Sequence, residues 1–193
     1  MQSRPRRGGP RRLRQGHRTQ TRLRRGLLEP TEETLADYDK AIEVDPDNAE
    51  AYYNRGNAKS HLGQTEETLA DYDKAIEVDP DYAEAYYNRG YAKCEIGRDE
   101  EALVDYDKAI ELEPDYAEAY VNRGSAKSAL GRNEEALADY DKAIELKPDY
   151  AEAYLNRGSA KSDLGRNEEA IADYDKAIQL KPDLAAVISH VAR

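Results

Sequence analysis

Leu69, Tyr72, Ala75 and Ile76 fall three or four residues apart, with charged residues between them. That spacing places them on one side of an α-helix and predicts an amphipathic helix starting near Thr65. Glu66 and Glu67 fall in its first turn, where the helix dipole favours negative charge. Upstream, a more polar helix of roughly 14 residues, about 21 Å long, starts near Ala49. It ends at Gly63, a residue suited to a left-handed C-cap. The pair then recurs. Pro46, Pro80, Pro114, Pro148 and Pro182 stand 34 residues apart, as do Tyr38, Tyr72, Tyr106, Tyr140 and Tyr174. Gly56 and Gly63 return with the same period at Gly90 and Gly97, Gly124 and Gly131, and Gly158 and Gly165.

The complete units are 49–82, 83–116, 117–150 and 151–184, and the last two agree at 29 of 34 positions. Residues 29–48 read as a partial repeat with only the second helix, and 185–193 as a truncated first helix. Asp47, Asp81, Asp115 and Asp149 each precede a Glu by three residues, the spacing of a capping box. Thr65, Asp99, Asn133 and Asn167 are expected to cap the second helices. Gly56 and Ala75 let the two helices approach closely, with Tyr52 and Tyr72 filling the gaps. One unit cannot bury its stripe alone, so neighbours must stack.

These residues carry a resemblance to the tetratricopeptide repeat family over about 30–192. The family's alternation of large aromatic, Gly, Ala, aromatic, Ala and Pro falls on Tyr52, Gly56, Thr68, Tyr72, Ala75 and Pro80. Thr68 departs from the usual Ala, which Ala102, Ala136 and Ala170 restore. Arg55, Arg89, Arg123 and Arg157 stand where the family usually has Leu. Lys59, Lys93, Lys127 and Lys161 stand where it often has Tyr. The resemblance implies an all-α solenoid of helix–turn–helix repeats with a right-handed superhelical path. In such a solenoid, first helices line a concave groove that binds peptide or protein segments.

Composition narrows the functions. The 193 residues include no Trp or Phe but 15 Tyr, so the core must be built from Tyr, Leu, Ile and Ala. No run of 18 apolar residues or apolar leader is present, and the single Cys94 forms no intrachain disulfide, which fits a soluble cytoplasmic chain. Three His and one Cys leave little material for a metal, and no phosphate-binding loop or catalytic cluster is present. No cofactor and no enzymatic activity are expected. His61 and His190 read as surface residues.

The net charge of −11 hides a split. Residues 1–28 hold ten Arg and no acid, leaving 19 basic against 40 acidic residues, a balance of −21, in the rest. The arginine run could be a nucleic-acid arm or a targeting presequence. A third reading fits better. The repeat phrase GRDEEALADYDKAIELKPDYAEAY, written in codons and read from each third base, gives PRRGGPRRLRQGHRTQTRLRRGL with allowed synonymous codons. That string is Pro5 to Leu27, position for position. The segment therefore reads as an out-of-frame repeat, which the nucleotide sequence tests directly. With little apolar surface it is expected to lack fixed structure.

The groove-lining face predicted by helical spacing holds Tyr53, Asn54 and Asn57, then Tyr87, Asn88 and Tyr91, then Asn122 and Ser125, then Asn156 and Ser159. The asparagine row can donate to and accept from a peptide backbone, and the tyrosines can contact an apolar side chain. The Arg and Lys rows are expected to form surface pairs with acids such as Asp71 and Asp73. Tyr53, Glu118 and Asn122 stand where relatives that clamp a terminal carboxylate carry basic residues, and acidic balance favours a neutral or basic partner. The ends of the array are expected to expose Leu35 or Tyr38 and Val187, Ile188 and Val191. Such surfaces invite self-association. A fragment of a longer array is the alternative reading.

Overall fold

The computed structural model describes residues 32–191, which form ten α-helices and no strand. The helices are α1 Glu32–Val44, α2 Ala49–His61, α3 Thr65–Val78, α4 Ala83–Glu95 and α5 Asp99–Leu112. They continue as α6 Ala117–Ala129, α7 Asn133–Leu146, α8 Ala151–Asp163, α9 Asn167–Leu180 and α10 Leu184–Val191. The arginine-rich residues 1–28 lie outside the described part. Two compact units share the chain, with the boundary after Val78. In the first, α2 packs against both α1 and α3. In the second, the hairpins α4–α5, α6–α7 and α8–α9 stack in order and α10 closes on α9.

The turn inside each hairpin follows from one glycine. Gly63, Gly97, Gly131 and Gly165 have φ of +72 to +75°, a region that penalises any Cβ. Gly63 N–H donates to Ser60 O and Gln64 N–H to Lys59 O, each at 3.0 Å. This is the Schellman pattern that satisfies the last carbonyls of a helix.

The helix starts differ from the sequence expectation. The capping boxes of Asp47, Asp81, Asp115 and Asp149 do not form, because these residues lie one position too early. The caps are Asn48, Tyr82, Tyr116 and Tyr150, and only Asn48 bonds through its side chain, accepting from Ala51 N–H at 2.9 Å. Asp99, Asn133 and Asn167 are likewise first helical residues, not caps. Arg98, Arg132 and Arg166 precede them and make no side-chain cap bond, since a guanidinium has no acceptor. Thr65 is also the first residue of its helix.

The core is small residues against tyrosine. Ala75, Ala109, Ala143 and Ala177 are fully buried, and Tyr72, Tyr106, Tyr140 and Tyr174 lie beside them. A Cβ built on Gly124 would stand 2.7 Å from Tyr140 Cε1, and one on Gly56 2.8 Å from Tyr72 Cε1. Only glycine permits that approach. Two expectations about the ends are corrected. Tyr38 is buried and Leu35 half-buried, so α1 does not expose its ring. Ile188 is also buried, because α10 folds back onto Ala170, Tyr174 and Ala177. The side chains of Val187 and Val191 lie outside the described part. No described helix is long and apolar enough to cross a membrane.

Candidate peptide-binding face

In the first unit, α2 carries Tyr53, Asn54 and Asn57, all half-buried. The Tyr53 ring lies 6.0 Å from that of Tyr72, and Tyr72 donates its hydroxyl to Asn57 Oδ1 at 2.7 Å. Asn57 is thus tied to its own hairpin.

In the second unit, α4, α6 and α8 bring the remaining candidates onto one face. Tyr87 packs between Tyr106 and Tyr116, with ring centroids 6.0 and 4.8 Å away. Its hydroxyl accepts from the Asn122 amide at 2.9 Å. Asn156 repeats the gesture toward Ser125 Oγ at 3.2 Å. Both bonds run from one first helix to the preceding one. Ser125 donates to Val121 O at 3.0 Å and accepts from Tyr140 at 3.4 Å. Ser159 donates to Leu155 O and accepts from Tyr174. Asn88 is half-buried on α4, and Tyr91 is 48% exposed.

Tyr91 borders a cavity of about 170 Å³ lined by Cys94, Asp99, Tyr106, Asn122, Ser125 and Ala126. That is comparable to the ~150 Å³ that holds a benzene ring. The cavity sits where the repeat breaks its own pattern. Tyr91 replaces the Asn or Ser of its sister units, and Cys94 replaces Ser. The Cys94 thiol accepts from Tyr106 at 3.7 Å, and burial pushes its pKa up to about 11, so it stays a neutral thiol.

A row the sequence reading placed at the surface proves buried. Asp71, Asp105, Asp139 and Asp173 are each 5% exposed or less. Arg55 grips Asp71 through Nε and Nη2 at 2.9 and 2.5 Å, and Lys59 adds a contact at 2.8 Å. Arg89 with Lys93, Arg123 with Lys127 and Arg157 with Lys161 do the same for the other three. Hydrogen bonding to Asp71 and Asp173 raises the pKa of Arg55 and Arg157, so both remain charged. The outer aspartates pair one repeat further on: Asp39 with Arg55, Asp107 with Arg123, and Asp141 with Arg157. Each of these arginines also lies over a tyrosine ring of its own helix, as Arg123 does over Tyr120 at 5.4 Å. The signal was present in the sequence as an invariant Arg–Asp spacing of 16 residues, with the Asp beside the buried Tyr.

Models of this repeat match almost the whole described chain. A TPR repeat model covers residues 31–63, 90–131 and 124–165. A tetratricopeptide repeat model covers 49–82 and 151–184, and another 71–104. The chain belongs to the tetratricopeptide repeat family. No curated protein sequence matches it significantly. Among solved structures, that of MamA is 27% identical with a TM-score of 0.76, covering 87% of this chain and 96% of its own. YrrB, a tetratricopeptide repeat protein with an unusual peptide-binding site, is 27% identical with a TM-score of 0.75. It covers 91% of this chain and 89% of its own. The first such domain of Spaghetti (RPAP3), bound to the HSP90 peptide SRMEEVD, is 30% identical with a TM-score of 0.61. It covers 63% of this chain and 96% of its own.

In this tetratricopeptide repeat chain, the polar rows at Arg55 and Lys59 and their mates neutralise a buried aspartate that joins the two helices of a hairpin. The Glu row also pairs with lysines. Glu118 and Glu152 accept from Lys147 and Lys181 at 3.0 and 2.7 Å. Among the described residues no group of three His, Cys, Asp or Glu converges as a metal site would require.

Proposed function

We propose that this tetratricopeptide repeat chain is a non-enzymatic interaction scaffold that holds an extended protein segment on the face of α4, α6 and α8. The observation that carries the reading is the cavity beside Tyr91, floored by Tyr106 and flanked by Asn122 and Ser125. An apolar or aromatic side chain fits it, while the side-chain amides of Asn88, Asn122 and Asn156 offer donors and acceptors to a backbone. Tyr53, Asn54 and Asn57 offer a similar surface on α2. The relatives that bind peptides support this use of the fold. The acidic tail held by the RPAP3 domain is not the expected cargo here, because Tyr53, Glu118 and Asn122 stand where a carboxylate clamp needs cations. A neutral or basic segment with one large apolar side chain suits the face.

Selection from a random peptide library tests the reading. The full chain and a Tyr91→Ala, Asn88→Ala variant, checked for unchanged helicity, are panned in parallel. Peptides that share an apolar anchor and bind the variant at least tenfold more weakly support the proposal. Peptides that bind both equally, or no enrichment, refute it.

A further inference from the structure

The cavity beside Tyr91 is also where repeat 83–116 stops being a copy of its neighbour. It differs from 117–150 at eight positions, and three of them, Tyr91, Cys94 and Asp99, line this one space. A fourth, Tyr87, has its ring 6.0 Å from that of Tyr106, which floors the cavity. The residues that correspond to Tyr91, Cys94 and Asp99 in the next repeat are Ser125, Ser128 and Asn133. Exchanging Ser for Tyr adds a ring. Exchanging Asn for Asp keeps the shape but replaces an amide, which both donates and accepts, by a group that only accepts. The cavity thus joins an aromatic wall to a carboxylate, at a position held by Thr65, Asn133 and Asn167 in the other repeats.

The hydrogen bonds around the cavity define the guest. The Tyr106 hydroxyl donates to Cys94 Sγ at 3.7 Å, and the Ser125 hydroxyl to Val121 O at 3.0 Å. Ser125 Oγ also accepts from Asn156 and Tyr140. The Asn122 amide donates to the Tyr87 hydroxyl at 2.9 Å. These groups satisfy one another. Asp99 is half-buried at the start of α5, with the Cys94 thiol beside it. A thiol is a weak donor and a carboxylate has about four acceptor positions, so Asp99 can take a further donor. A purely apolar guest would remove Asp99 from water without replacing its hydrogen bonds, which is unfavourable. A guest tipped by an acceptor would oppose it directly. The volume of about 170 Å³ suits a single six-membered ring.

We propose that the anchor of the bound segment is an unmodified tyrosine, with its ring against Tyr91 and Tyr106 and its hydroxyl donating to Asp99. The inference rests on the peptide face proposed above and names what that face selects. The same contact makes binding switchable. Phosphorylation of the anchor removes its donor and sets a charge of about −1.5 to −2 against Asp99.

The probes are short peptide libraries with randomised flanks and a central residue fixed as Tyr, Phe, phosphotyrosine, Lys or Ala, each bound to the full chain. The Tyr library is expected to bind at least tenfold more tightly than the Phe and phosphotyrosine libraries, the effect of a hydrogen bond to a charged group. Asp99→Ala, with helicity unchanged by circular dichroism, should bring the Tyr and Phe libraries level. Asp99→Asn, the residue of two sister repeats, should keep part of the preference, because its amide oxygen still accepts. Phe or phosphotyrosine bound as tightly as Tyr, a preference for Lys, or a Tyr preference that survives Asp99→Ala overturns the proposal. In those cases, loss of binding with Tyr91→Ala would leave the peptide face standing. Libraries that bind no better than the Ala-centred one, or equally well to the Tyr91→Ala chain, would overturn both.

Discussion

Asp139 and Asp107 bind the same arginine, and the difference between them isolates the effect of burial. Arg123 reaches Asp139 through Nε and Nη2 at 3.1 and 2.5 Å, and Asp107 through Nη1 at 2.6 Å. Asp139 is 5% exposed and Asp107 63%. Replacing Asp139 by Asn keeps its shape but leaves Arg123 and Lys127, both largely buried, without their carboxylate. Breaking such a buried pair costs about 3–5 kcal/mol. Replacing Asp107 by Asn removes an exposed contact worth about 0–1 kcal/mol. Against a total stability of about 5–15 kcal/mol, the first loss is severe. Urea unfolding followed at 222 nm should show it as a midpoint shift of at least about 1 M, given slopes of about 1–3 kcal/mol/M. Because contacts in such arrays run mainly between neighbours, hydrogen exchange should accelerate first in α6 and α7. Salt separates the two further. At 1 M salt the screening length is about 3 Å, so the Asp107→Asn loss should shrink while the Asp139→Asn loss persists. A cost below about 1 kcal/mol for Asp139→Asn, or equal salt sensitivity of the two, would refute the argument.

Three other outcomes follow from the packing and the charges. Gly124→Ala should destabilise by up to about 2 kcal/mol, since overpacking of about 1–3 kcal/mol outweighs the ~1 kcal/mol helix gain. Tyr140→Leu in the same chain should recover part of that loss in thermal melts, but should not rescue Gly131→Ala, which fails through its φ of +75° and meets nothing within 4 Å. Glu113 occupies the position of Lys147, and its pKa is raised by burial and by Glu84. Glu113→Lys should create with Glu84 the counterpart of the Lys147–Glu118 pair and raise the melting temperature slightly, by the worth of an exposed pair, about 0.2–1 kcal/mol. Burial raises the tyrosine pKa values, to about 12 for Tyr38 and Tyr150 and upward for Tyr72, Tyr106 and Tyr140. The stability they confer is complete below pH 10 and is lost as pH rises from there toward 12. Helicity should fall together with the rise of phenolate absorbance over that range. Conversion of all the tyrosines to phenolate with helicity intact would contradict it.

The fold was legible because its constraints repeat. One spacing of 34 residues located every hairpin, and the glycines at 63, 97, 131 and 165 marked the turns that a positive φ requires. Helix starts were less legible. The Asp–Glu spacing of a capping box is met, but Pro, Asp and the next residue form a turn that delays the helix until the cap falls on Asn48 or a tyrosine. The buried aspartates were misjudged because a charge adjacent to an apolar stripe reads as solvated when taken alone. Only the paired spacing of Arg55 and Asp71 identifies it as a buried ion pair. The bonds from Asn122 to Tyr87 and from Asn156 to Ser125 join successive repeats, and their existence depends on a stacking register that no single repeat encodes.

Internal repetition also separates the residues that fold the chain from those free to recognise a partner. Four first helices share one backbone geometry, so a side chain needed for the hairpin must recur in all four. The Arg, Gly and Lys at 55, 56 and 59 do, and each has a structural partner. A position that changes from repeat to repeat escapes that requirement. Tyr53, Tyr87, Val121 and Leu155 share one such position, and Asn57, Tyr91, Ser125 and Ser159 another. The Tyr hydroxyl meets Asn57, Ser125 and Ser159 at the second of these, and where Tyr91 takes that place Cys94 receives Tyr106 instead. The hairpin thus keeps its bond while the Tyr91 ring turns outward beside the cavity. That exchange frees one large side chain without loss of the core contact, which is why the proposed peptide face centres on Tyr91 and not on the rows that repeat unchanged.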